Sequence, residues 1–300
     1  MYRYSIIVPV HNIELNYLTQ CLNSVKEQTY DEFECILINN SSVANHIVAF
    51  IEKWVADHKN KFRLIHDQVN GGFGTARNIG VRNATGDFVI FLDAADYIEH
   101  TMLETINKYA KKCRHLEILS FSALWLNSDN ELTKLNQNYE GWQPYTLTNV
   151  NLSHNLAKDK VHIWSKCYAK HFLLEKDIWH LDYFGYGIDL YFHIITYSKA
   201  NQIYVIDEPL YVRRKELHLH NCQSLHPKDK LFNAIDCAFN AFEKIRKDDS
   251  VLSKYFYTFF KFFFETYMIG EYADIQKEEW WDTVYTRFTK MYQWLIKIGH

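Results

Sequence analysis

No Cys-x-x-Cys pair occurs anywhere in the chain; Cys21, Cys35, Cys113, Cys167, Cys222 and Cys237 are scattered singly. That spacing suits neither a zinc site nor the dense disulfide framework of a small secreted domain. Reduced thiols in a cytoplasmic protein are the expectation. A long basic block is also missing, and 33 Lys and Arg against 36 Asp and Glu leave a formal net charge of −3. The clustered cations that phosphate backbones demand are therefore lacking, and nucleic acid is not an expected partner. Long apolar runs are absent too. Residues 5–10 are too few for a signal-peptide core and are broken by Pro9, so secretion is not expected. Residues 255–269, the most apolar later segment, are interrupted by Lys261 and Glu265 and fall short of a bilayer span. The chain shows no internal repeat and no low-complexity tract.

Aromatic residues are what the chain has in excess: 20 Phe, 21 Tyr and 8 Trp among 300 residues. Such side chains fill cores, stack on sugars or bases, or sit at membrane interfaces. The length accommodates one elaborated α/β domain or two closely packed ones. Over the first 120 residues, short apolar runs predict strands at 4–8, 34–38, 62–66, 87–92 and 116–121. Helical periodicity fills the intervals at 15–28, 43–58, 75–84 and 101–112. This βαβ succession predicts a mostly parallel sheet with ligands at the carboxyl ends of its strands. Polar or special residues follow those strands: Pro9, His11 and Asn12; Asn39 to Ser42; Asp67; Asp93 to Asp96. Residues from about Trp125 to Pro144 read as a loop crossing to the second half, and beyond His226 the chain turns helical and aromatic.

Two loops carry the chemistry. The run from Asn70 to Asn78 sets Gly71, Gly72 and Gly74 between a strand and a helix. Glycine permits close backbone approach to a ligand, and the helix N-terminus offers unpaired N–H groups to an anion. A purely structural glycine turn is the plainer reading of that run alone. Next, the apolar Phe91-Leu92 leads into Asp93-Ala94-Ala95-Asp96, a way to present carboxylates to Mg²⁺ or Mn²⁺ beside a diphosphate. Capping of the following helix by Asp96 is the alternative.

Taken together, Val8-Pro9-Val10-His11-Asn12, Ile36-Leu37-Ile38-Asn39-Asn40-Ser41-Ser42, the glycine run ending Ala76-Arg77-Asn78-Ile79-Gly80, and Ala84-Thr85-Gly86-Asp87 leading into Phe91-Leu92-Asp93 resemble glycosyltransferase family 2 in order and spacing. The likeness is close over about 110 residues. It continues more thinly through residues 163–168, 187–192 and 207–211. It implies a GT-A type nucleotide-binding α/β fold, a mostly parallel sheet flanked by helices with a helical C-terminal extension. The implied division is a nucleotide-sugar half (1–120), an acceptor-binding half (121–225) and a helical region (226–300).

The implied activity is inverting transfer of a sugar from a nucleotide-sugar, UDP-linked by preference, to a hydroxyl of a glycan or lipid-linked acceptor in bacterial surface-polysaccharide synthesis. Asp189 matches the family's catalytic base. Pro9, Asn12, Asn40, Gly71, Gly72, Arg77, Asp93 and Arg213 match donor-binding positions, and Asp93 and Asp96 the metal-binding motif. The chain departs from the family where Asn39 and Asn40 replace acidic residues, where Ile188 precedes the base, and where Ala95 replaces the principal metal ligand. His218 and His220 are the reserve candidates for a ligand, against a plainer reading as paired surface histidines. For Arg213, Arg214 and Lys215, contact with the leaving diphosphate competes with ordinary solvated charge. The tail aromatics, Phe256, Phe259, Phe260, Phe263, Tyr267, Trp280, Trp281 and Trp294, suit core packing or a homodimer interface, or else a peripheral contact with the inner face of the membrane. Two rival functions stay open: a nucleotide-binding scaffold that has lost catalysis, and a nucleotidyltransferase releasing pyrophosphate.

Overall fold

The computed structural model describes residues 3–40, 44–67, 71–134, 143–146, 162–182, 187–214 and 227–246, with isolated helical positions beyond. The first strands are β1 (Tyr4–Val10) and β2 (Phe33–Asn40), and every residue of both is buried. Strands covered on both faces read as near-continuous apolar runs, as at residues 6–8 and 35–38, with Ser5 donating to Glu34 where the two strands turn polar. With β3 (Phe62–Asp67) and β4 (Phe88–Phe91) they form the parallel order β3-β2-β1-β4. Helix α1 (Leu15–Lys26) buries Leu18, Cys21, Leu22 and Val25 along one stripe, and α2 (Asn45–Asp57) buries Ile47 and Ile51. Helix α3 (Gly72–Asn83) starts three residues before the expected Thr75. β5 (Tyr97–Ile98) and α4 (Met102–Ala110) follow.

The second half extends the same sheet. β6 (Ile118–Leu126) and β10 (Gln202–Arg214) pair in parallel, while β9 (Lys166–Ala169) lies antiparallel between β4 and β6. All parallel strands therefore end at one rim. The loop expected from about Trp125 to Pro144 is corrected: β6 runs on to Leu126, and two further strands, β7 (Leu132–Lys134) and β8 (Gln143–Thr146), pair antiparallel with β6 and β10. All three residues of β7 are exposed, so the alternation that signals a half-buried strand is absent there.

After β9 come α5 (Lys170–Glu175) and α6 (Ile188–Lys199). Helix α6 is preceded by Gly187 at φ 103, where an added Cβ would also lie 2.9 Å from Ala234 Cα. That close approach belongs to α7 (Pro227–Arg246), whose Ala234, Cys237, Ala238 and Ala241 are buried. The remainder of the tail, including the aromatic stripe, and His218 and His220 lie outside the described residues. Among described residues no helix is long and apolar enough to cross a membrane.

The segment before α6 is docked on α3. Asn78 donates from Nδ2 to the His180 carbonyl at 2.9 Å and accepts the His180 N–H at 2.9 Å. This pair imitates a strand ladder using one side chain. Close approach is possible because residue 74 is glycine; a Cβ there would stand 2.1 Å from the Leu181 carbonyl oxygen. Gly74→Ala is therefore expected to cost about 2 kcal/mol by forcing that carbonyl away. Urea denaturation should show a lower midpoint with an unchanged slope.

Candidate active site

The rim is built from β1, β2, β4, β10 and the first turns of α3 and α6. After β1, Asn12 adopts φ 40, a left-handed conformation that asparagine tolerates. His11 must carry its proton on Nδ1, since it contacts the Asn40 carbonyl at 2.7 Å and a carbonyl can only accept. Its Nε2 then faces the Asn12 amide at 3.3 Å. Asn39 turns sideways to His66 Nδ1, 3.1 Å away. Asn40 is buried, and its Oδ1 has no hydrogen-bond partner among the described residues. Phe73, one residue into α3, sets its ring edge-on to His11 at 6.5 Å. Gly71 caps α3 and Gly72 opens it at φ 82.

Arg77 lies at the centre. Its side chain is 5% exposed, with Nη1 donating to Asp189 Oδ1 at 2.9 Å and Nη2 to Asp93 Oδ1 at 3.0 Å. Burial alone would lower the Arg77 pKa; Asp189 and Asp93 outweigh it and raise the pKa above the ordinary value. The Asp189 and Asp93 carboxylates keep 33% and 20% of their side-chain surface, so both remain open to solvent at the rim. Asp189 occupies the first turn of α6, where the helix dipole favours negative charge. One guanidinium thus joins the expected base to the first residue of the acidic loop.

Asp96 is placed differently from its expected role as a metal ligand, and it does not cap α4, which starts at Met102. It is fully buried; Oδ2 accepts the Tyr211 hydroxyl at 2.8 Å and Oδ1 accepts the Arg214 N–H at 2.9 Å. The same Tyr211 oxygen accepts the Asp93 N–H at 3.2 Å. Burial and the neighbouring carboxylates push the Tyr211 pKa well up, which keeps the hydroxyl available as a donor. Tyr211 thereby pins both ends of the loop to β10. Its sequence signal was position alone: it shares a strand face with Arg213, two residues on.

The basic run divides by function. Arg214 is 7% exposed, bonds the Ala95 carbonyl and Gln20 Oε1, and lies between the Tyr17 and Tyr97 rings, 5.0 Å from each centroid. It is a structural tie rather than solvated charge. Arg213 remains half-buried at the rim, 4.8 Å over Trp164 and 5.5 Å over Trp125, with no hydrogen-bond partner for Nε among the described residues. Lys215 lies outside the described residues. Among described residues no three His, Cys, Asp or Glu side chains cluster closely enough to hold a metal ion.

Comparison with known proteins connects this geometry to chemistry. Residues 5–161 match the family described as Glycosyl transferase family 2. The chain is 25% identical over 214 residues to the uncharacterized glycosyltransferase EpsJ of Bacillus subtilis (strain 168), covering 70% of this chain and 60% of EpsJ. It is 27% identical over 216 residues to the poly(ribitol-phosphate) beta-N-acetylglucosaminyltransferase TarS of Staphylococcus aureus (strain Mu50 / ATCC 700699), covering 70% of this chain and 35% of TarS. The crystal structure of S. aureus TarS 1–349 in complex with UDP-GlcNAc superposes with a TM-score of 0.75 at 21% identity, covering 99% of this chain and 82% of that one. The likeness establishes the fold, a GT-A type α/β sheet flanked by helices.

Removing the central cation should expose its structural weight. Arg77→Leu leaves two carboxylates facing one another and is expected to lower unfolding free energy by roughly 2 to 3 kcal/mol, below a fully buried pair because both partners keep solvent contact. Arg77→Lys should recover only part of the loss, since an ammonium cannot present a planar fork to two acceptors. Urea melts of the three proteins measure both effects.

Proposed function

The chain belongs to glycosyl transferase family 2, and from that premise we propose that it moves a sugar from a nucleotide-sugar, UDP-linked by preference, to a hydroxyl of a glycan or lipid-linked acceptor in surface-polysaccharide synthesis. The observation that carries the reading is the Arg77 bridge, which brings the base candidate Asp189 to the donor-side residue Asp93. The TarS structure with UDP-GlcNAc, a neighbour in fold, supports a UDP-sugar as donor. So does the orphan Oδ1 of Asn40, a buried acceptor that an imide N–H would satisfy. A lipid-linked acceptor would bring the chain to the inner face of the membrane as a peripheral protein.

In the proposed step, Asp189 takes the proton of the acceptor hydroxyl as its oxygen bonds to the anomeric carbon. The bond from that carbon to the diphosphate oxygen breaks on the opposite face, the nucleoside diphosphate leaves with the electron pair, and configuration inverts. Arg77 holds one Asp189 oxygen, so the carboxylate is oriented before substrate arrives; such fixed geometry removes part of the entropic barrier. Arg213 is the candidate for the developing charge on the leaving group. Asp93 and Asp96, the expected metal ligands, do not present a cation site, and no step is assigned to a metal.

Asp189→Asn is expected to reduce sugar transfer by roughly a hundredfold or more, with donor affinity changed by less than about threefold. Release of UDP from a panel of UDP-sugars in the presence of glycan acceptors measures the first, and calorimetry the second. Near-normal turnover would remove Asp189 from the role. A wild-type chain that binds donor but never turns over would favour the scaffold reading that Ala95 suggests.

A further inference from the structure

We infer that this chain binds its nucleoside-diphosphate donor without a divalent cation, arginine guanidinium groups supplying the positive charge. This rests on the nucleotide-sugar reading above and adds how the diphosphate is neutralised.

The ground is the donor set at the acidic loop. Mg²⁺ requires about six oxygens in near-ideal octahedral geometry, and protein carboxylates must turn outward to supply some of them. The loop offers two carboxylates separated by Ala94 and Ala95. Asp96 faces inward with both oxygens occupied, one by Tyr211 and one by the Arg214 N–H. Moving it outward would leave the buried Tyr211 hydroxyl and a buried backbone N–H without their acceptor, which is costly in the interior. Asp93 already shares Oδ1 with the Arg77 guanidinium at 3.0 Å. A dication at that carboxylate would sit beside a fixed, buried positive charge and be repelled by it. The place where the family puts a metal thus holds an arginine salt bridge.

Positive charge is nevertheless present on the diphosphate side. Arg213 follows Tyr211 by two residues on the same face of β10, about 7 Å further along the strand, and Tyr211 contacts the Asp93 N–H directly. The Arg213 guanidinium is set against Trp164 and Trp125, and among the described residues no carboxylate pairs with it and its Nε has no hydrogen-bond partner. Arginine in such a setting matches phosphate oxygens two at a time, which lysine does not.

Calorimetry on the full chain with UDP and GDP, each in EDTA and in Mn²⁺, tests this, with thermal shift as an independent readout. The expected result is a UDP affinity in EDTA within about threefold of that in Mn²⁺, and equal stabilisation in both. Tightening by about tenfold or more in Mn²⁺ would overturn the inference while leaving the donor reading intact. Failure of both nucleotides to bind under both conditions would overturn the donor reading and this inference together. Arg213→Gln, a half-buried side chain whose loss the fold should tolerate, is expected to weaken UDP binding in EDTA about tenfold. Unchanged affinity in a variant with wild-type melting would remove Arg213 from the diphosphate site.

Discussion

Taking a guanidinium out of water is costly unless its donors find acceptors and its charge finds partners. Arg77 meets the charge demand, and satisfies Nη1 and Nη2, with carboxylates from two separate elements: Asp93 beyond the end of β4 and Asp189 in the first turn of α6; its buried Nε has no hydrogen-bond partner among the described residues. Helix α3, strand β4 and helix α6 consequently cannot shift independently near the rim. The adjacent Asn78 extends the constraint, for its amide holds the backbone at His180, in the segment leading to α6. Fold and site share these contacts, so disturbing the bridge disturbs the distance between Asp93 and Asp189.

The acidic loop shows how a motif can keep its shape while its charges change use. Tyr211 and the Arg214 N–H draw Asp96 inward, and the Arg214 guanidinium takes the Ala95 carbonyl. Four residues that read as a metal-binding loop are therefore anchored mainly through β10. With Asp96 serving the fold, Asp93 is the loop's remaining carboxylate, and it is committed to Arg77. This arrangement is self-consistent electrostatically: each buried cation has an acceptor, and each acidic group has a donor.

The central strands were legible because burial on both faces writes a largely apolar run into the sequence; residues 4–8 and 34–38 fall inside β1 and β2, broken only by the mutually hydrogen-bonded Ser5 and Glu34. The convergence of Arg77, Asp93 and Asp189 came from resemblance, since no local pattern relates an arginine on α3 to an aspartate on α6. What escaped was decided by long-range contact. Exposed β7 carries no periodicity, and it is a strand because the free edge of β6 lies beside it. Arg214 reads as surface charge until Tyr17, Tyr97 and Gln20 enclose it. Asp96 reads as a ligand until a tyrosine from β10, remote in sequence, claims it.

His180 brings these arguments to one point. Its ring stacks on Phe192 with centroids 3.8 Å apart and planes 7° from parallel, and meets Phe91 edge-on at 5.1 Å. Burial, reinforced by the positive charge of Arg77, holds its pKa well below the ordinary histidine value, so the ring is a neutral aromatic body. Neither ring nitrogen has a hydrogen-bond partner among the described residues, a local cost the surroundings must offset. Because Asn78 fixes the backbone on both sides of the peptide, the ring is not free to seek polar contacts. Phe91 lies two residues before Asp93 and Phe192 three after Asp189, and these two rings also meet each other edge-on at 5.7 Å. With His180 packed on both, the three buried rings form one cluster that joins strand β4 to helix α6 next to the two carboxylates bridged by Arg77.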